Sequence, residues 1–178
     1  KIPAVRKLSL LPAPFFDPTL HEPLKVPFVL ARSGGQRDLK AAGIVASWLG
    51  KLADFRGTAF SVSSTFPSSG NAVEIGENIP LDSTGTLPSG PTLFEVANPN
   101  DRSGTVLVVT GQNQKEVETA ARVLAFSSDT LGDGPLRVVS DVTLAPRKPY
   151  DAPAFVPTDR IVKFGDLISA VDLQRQGG

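Results

Sequence analysis

The chain has 178 residues, 40% of them apolar and 20% charged, with 18 basic residues balancing 18 acidic ones and neither cysteine nor methionine. That length carries one compact domain with a core of its own and attached arms, and it excludes two large domains. The zero net charge gives no general attraction to nucleic acid or to an anionic membrane surface, and the missing cysteines exclude thiol nucleophiles, disulfides and thiolate metal sites.

The 16 glycines and 16 prolines predict many turns and long ordered loops instead of a helical bundle. A complete gene product begins with methionine, so the chain is expected to be a piece of something longer. No apolar run approaches the roughly 18 to 20 residues that cross a bilayer, and residues 1–11 lack the unbroken apolar stretch of a signal peptide. The piece itself is therefore expected to lie outside the membrane.

Residues 1–23 carry Pro3, Pro12, Pro14, Pro18 and Pro23 and read as a linker arm, because each proline lacks a backbone donor and pushes its predecessor toward extended conformations. Phe15, Phe16 and Leu20 are expected to dock that arm on a neighbour or on the domain itself. Val26, Phe28, Val29 and Leu30 predict a strand over 24–31 that runs into the turn Arg32-Ser33-Gly34-Gly35. From residue 36 to about 55 the period changes, and Ile44, Val45, Trp48, Leu49 and Leu52 align as one stripe on a helix. A buried strand, a glycine turn and an amphipathic helix open an α/β unit.

Further strands are predicted at 59–66 and 72–75, with a loop over 76–91. Residues 92–97 and 105–110 predict an antiparallel hairpin around an extended polar loop, 98–104. Val117, Ala120, Ala121 and Leu124 then predict a helix over 114–126. A polar turn over 129–135, a strand over 136–144 and a second proline-rich arm over 145–178 complete the chain, leaving an α/β domain at 24–144.

Few residues offer chemistry. His21, the only histidine, lies in the arm; a triad or a zinc site needs a histidine fixed by a rigid scaffold beside a second group, so it reads as a surface residue. No Gly-x-Ser-x-Gly elbow supports a serine hydrolase. Ser33, Gly34 and Gly35, flanked by Arg32 and Arg37, can offer backbone N–H groups to a phosphate at a helix N-terminus. Neither glycine-rich nucleotide fingerprint is present, however, and a plain turn with an N-cap accounts for the same residues. The segment 129–134 lacks the ligand spacing of a calcium loop and reads as a solvated turn, and Glu74 and Glu77 read as surface acids and not as a glycosidase pair. Trp48 falls on the apolar stripe and reads as core, whereas Tyr150 is expected to be exposed and is the ring a sugar-like ligand would meet. No catalytic residue, metal ligand or cofactor is expected.

Several stretches together carry a resemblance: Leu11-Pro12-Ala13-Pro14-Phe15-Phe16-Asp17-Pro18, Val26-Pro27-Phe28-Val29-Leu30, Val108-Val109-Thr110-Gly111 through Ala120-Ala121-Arg122-Val123-Leu124-Ala125, and above all Pro146-Arg147-Lys148-Pro149-Tyr150-Asp151-Ala152-Pro153. In this order, and over essentially the whole chain, they resemble the family of regulatory subunits of bacterial cellulose synthase. The resemblance implies a periplasmic protein held to the inner membrane by a C-terminal helix absent here, in which carbohydrate-binding jelly-roll modules alternate with flavodoxin-like α/β modules. It implies that this chain is the first flavodoxin-like module, an open sheet with flanking helices and proline-rich arms leading to its neighbours. Its implied partners are the catalytic subunit of cellulose synthase, the adjacent jelly rolls and the glucan chain.

That family is labelled cyclic-di-GMP-binding, with the nucleotide held by a cytoplasmic domain of the catalytic subunit; the Arg-x-x-x-Arg and Asp-x-Ser-x-x-Gly pair that would bind it is absent here. The turn Arg32-Ser33-Gly34-Gly35 also departs from the hydroxyl-rich phosphate loop of flavodoxins, so no flavin is expected. Two functional readings follow: a non-catalytic scaffold module, or a small-ligand domain binding a nucleotide or sugar phosphate through Arg32, Ser33, Gly34, Gly35 and Tyr150.

Overall fold

The computed structural model describes residues 5–30 and 38–143. Its elements are β1 (Leu24–Leu30), α1 (Leu39–Ala53), β2 (Thr58–Ser63), β3 (Ala72–Glu77), β4 (Thr92–Asn98), β5 (Asp101–Gly111), α2 (Gln114–Ser127) and β6 (Leu136–Val138). The six strands form one sheet in the order β2-β1-β3-β5-β4-β6. Strands β2, β1, β3 and β5 run parallel, while β4 is antiparallel to both β5 and β6. This is the α/β architecture expected, and it is consistent with a flavodoxin-like open sheet.

Alternation along the strands builds two cores. Val26 and Phe28 of β1, Val73 and Ile75 of β3, Leu93 of β4 and Leu107 and Val109 of β5 meet the apolar stripes of both helices, including Val45, Trp48 and Leu49 of α1 and Val117, Ala121 and Leu124 of α2. The intervening residues Val29, Ala72, Phe94, Val106 and Val108 face the other way, where no helix lies among the described residues. Ile79, Phe66 and Leu81, all from connections, close that second face. β5 is buried on both faces from Gly104 to Gly111, which explains its unbroken run Val106-Leu107-Val108-Val109 where a half-exposed strand would alternate. β2 sits at the sheet edge and is largely exposed, its Phe60 ring meeting Phe28 edge-on at 5.4 Å.

The N-terminal segment joins the main core. Leu8 is 0% exposed, and Phe15 and Phe16 are buried with it against the helix-bearing face, while Leu20 stays in solvent.

Three expectations need correction. The segment 98–104 is not an extended loop: β5 begins at Asp101, leaving only Pro99 and Asn100 between the strands. Its polar residues bond to the backbone locally. Asn98 Oδ1 accepts the Asn100 N–H at 3.0 Å, and Asp101 Oδ1 accepts both the N–H and the hydroxyl of Ser103. The last strand stops at Val138, since β4 offers it only Thr92, Leu93 and Phe94 as partners. Glu74 is not a plain surface acid. It is half-buried in register between Val29 and Val108, and desolvation pushes its carboxyl up to about 7.

Candidate functional site

From β1 the chain winds outward to β2 through α1, and it returns past β1 to β3 on the other side. In open α/β sheets such a reversal leaves a crevice outside the carboxyl ends of the two diverging strands, the usual place for a ligand. The described walls of this crevice are Asp38 before α1, Glu77 and Asn78 at the end of β3, and 111–113 at the end of β5.

Asn78 takes a left-handed turn at φ 54°, a conformation its short polar side chain tolerates. It ties the two strand ends together by donating its N–H to the Gly111 carbonyl at 2.8 Å and its side-chain amide to the Gln112 carbonyl at 3.3 Å. Asn113 then caps α2, its Oδ1 accepting the Glu116 N–H at 3.1 Å, and Glu116 returns a carboxylate oxygen to the Gln112 N–H at 2.8 Å. This reciprocal box satisfies helix-end donors that an anion would otherwise meet. Lys40 of α1 is likewise engaged, its ammonium 2.6 Å from Glu118 of α2, which also accepts from Gln114 at 3.1 Å.

Asp38 is the unusual member. It is 1% exposed, and neither of its carboxylate oxygens has a hydrogen-bond partner among the described residues. Burial, and then the neighbouring negative charge of Glu77, push its carboxyl up to about 6. Two acidic side chains, Asp38 and Glu77, therefore lie close together at this end of the sheet, with the Asp38 carboxyl buried.

The residues proposed from sequence for ligand contact, Arg32, Ser33, Gly34, Gly35 and Tyr150, lie outside the described residues. His21 is exposed on the arm. Among the described residues no group of three or more His, Cys, Asp or Glu side chains is placed to hold a metal ion, and no helix is long and apolar enough to cross a membrane. Sequence reasoning missed Asp38, because the helical pattern starts at residue 36 and an acid on its first turn reads as solvated, with nothing in the pattern to show that it is buried. Two further concavities lie elsewhere. One of about 380 Å³, at the C-terminal end of α2, is lined by Val123, Leu131, Arg137 and Val142 among others. The other, of about 200 Å³, is an apolar groove where Leu39, Gly43 and Ala46 of α1 meet Phe60 and Val62 of β2.

Residues 7–139 match the family described as "Cellulose synthase BcsB, first FD domain". The chain is 65% identical, over 97% of its length, to "Cellulose synthase 2" of Novacetimonas hansenii. It is 45% identical, over 99% of its length, to a "Cyclic di-GMP-binding protein" of Komagataeibacter xylinus, and 38% identical, over 96%, to one of Pseudomonas fluorescens (strain SBW25). The chain spans 11%, 22% and 23% of the length of these three relatives.

Proposed function

Because this chain belongs to the family of the first FD domain of cellulose synthase BcsB, we propose that it works as a non-catalytic periplasmic scaffold module in the regulatory subunit of bacterial cellulose synthase. In this reading it supports synthesis and export of the glucan by positioning neighbouring modules beside the catalytic subunit, in a protein anchored in the inner membrane. The observation that carries it is the family match over 7–139, joined to similarity over 97% of this chain with a stretch of a relative named "Cellulose synthase 2".

The second reading, a module that itself binds a nucleotide, draws on the relatives named as cyclic di-GMP-binding proteins. The pair of acids at the crevice favours the first. The Asp38 and Glu77 carboxyls lie close enough to repel at this end of the sheet, which disfavours a bound polyanion, and Asn113 and Glu116 already take the Glu116 and Gln112 N–H groups at the start of α2.

Two measurements separate the readings. Replacing residues 7–139 by a flexible linker in the full-length regulatory subunit is expected to abolish cellulose output and reduce co-purification of the catalytic subunit. Unchanged output would overturn the scaffold reading. Calorimetric titration of the isolated chain with cyclic di-GMP is expected to give no heat of binding. Saturable binding at micromolar concentration would instead establish the nucleotide module.

A further inference from the structure

A buried polar contact lies under the N-terminal segment, away from the crevice. Glu95 follows Leu93 by two residues on β4 and so shares its helix-bearing face, yet it is only 5% exposed. One of its carboxylate oxygens, Oε1, is buried without a partner among the described residues, and the backbone N–H of Lys7 lies near the carboxylate. Arg6 lies beside it. The guanidinium donates to the Arg102 carbonyl at 3.0 Å and the Gly104 carbonyl at 3.1 Å, and its Nε is buried with no partner among the described residues. The hydroxyl of Thr105, on β5, is buried in the same condition. Leu8 then fixes the segment in place, fully buried and donating its N–H to the Gly134 carbonyl at 3.1 Å.

We propose that Glu95, Arg6 and the Lys7 amide form a protonation-controlled latch, which holds the segment 5–16 on the sheet while Glu95 is neutral and loosens it when Glu95 ionises. A carboxylate at this position has lost its water and regains only one amide donor and a nearby guanidinium whose hydrogen bonds go to carbonyls. Burial outweighs both helpers and holds the carboxyl up at about 7. If the segment lifts, Glu95 returns to water and to an ordinary carboxylate value near 4.3. The docked state therefore binds the proton more tightly than the lifted one. Docking is strongest in acid and weakens as pH rises toward about 7, beyond which it changes no further. The other charged groups around the latch are Lys7 and Asp133, 3.8 Å apart, Arg102 at the start of β5, and Arg137 on β6 opposite Leu93. Ser9 and Lys7 hold Asp133 below the usual carboxylate range, so it stays ionised from pH 5 to 8.

The test is hydrogen exchange of the full chain, following the Lys7 and Leu8 amides against β5 core amides, with intrinsic rates corrected. Opening of the segment is expected to rise roughly thirtyfold between pH 5.5 and 8, and Glu95→Gln, which keeps an acceptor for Lys7, is expected to flatten that rise. A flat wild-type profile, or a rise that survives in Glu95→Gln, overturns the latch. Arg6→Gln gives an independent reading: without the cation, the pH at which opening levels off is expected to move up, and an unmoved profile counts against the pairing.

Discussion

Gly111 shows how one missing side chain fixes a junction. It ends β5, and a Cβ there would fall on the Cβ of Glu116 and press at 3.0 Å on the backbone of Glu116 and Val117. Gly111→Ala is therefore expected to lower stability by about 2–4 kcal/mol, read as a shift of the urea midpoint, because helix and strand cannot both stay in place. Gly43 is the control. It lies on an exposed turn of α1 with open space around it, so Gly43→Ala should raise stability by up to about 1 kcal/mol through helix propensity alone. Asp38 makes a different point, since its carboxyl is buried close to Glu77 with no hydrogen-bond partner among the described residues. Asp38→Asn is expected to stabilise the domain by about 1 kcal/mol at pH 7 and to change nothing near pH 4, where the wild-type carboxyl is already neutral. Denaturant midpoints at the two pH values check it, and a loss of stability at pH 7 would show that the carboxylate has a role not captured by its burial.

The regular elements were legible because their apolar residues repeat with the period of the backbone that buries them. The stripe of Val45, Trp48 and Leu49 on α1 and that of Val117, Ala121 and Leu124 on α2 lie in the core as the spacing implied. Legibility failed where polar residues are used inside. Asn98 and Asp101 look like loop residues but bond to nearby backbone and let the hairpin close early. Glu74 and Glu95 carry charge at strand positions that tertiary packing buries. The candidate crevice was legible only as a turn after β1; the acid that lines it, Asp38, gave no pattern signal. The proline-rich N-terminal segment also conceals how much it contributes to packing. Leu8→Ala is expected to cost about 2–4 kcal/mol, a core-sized loss, measurable as a fall in Tm of the isolated chain. A change below about 0.5 kcal/mol would instead mark the segment as a loosely attached surface strap.

At the scale of the molecule, three desolvated carboxyls act in one direction. Asp38 is held up at about 6, and Glu74 and Glu95 at about 7. Each raised value means that the folded chain binds a proton more tightly than the unfolded one, so the stabilisation is complete below the ordinary carboxylate range and is lost as pH rises through 6 and 7. The lowered values of Asp17, Asp82 and Asp133 act the other way, but these belong to exposed turns where solvent screens them. The domain is thus expected to melt several degrees higher at pH 5 than at pH 7.5 in low-salt buffer. Equal or inverted melting temperatures would mean that these carboxyls are hydrated in solution. The two-residue turn between β4 and β5 bears on time as well as stability. It joins the two strands that share the longest register in the sheet, and closing so short a loop is the least demanding step available to an otherwise non-local parallel topology. The hairpin is accordingly expected to form the folding nucleus: Val106→Ala should slow refolding, whereas Val26→Ala, on a strand whose partners β2 and β3 are far along the chain, should chiefly hasten unfolding.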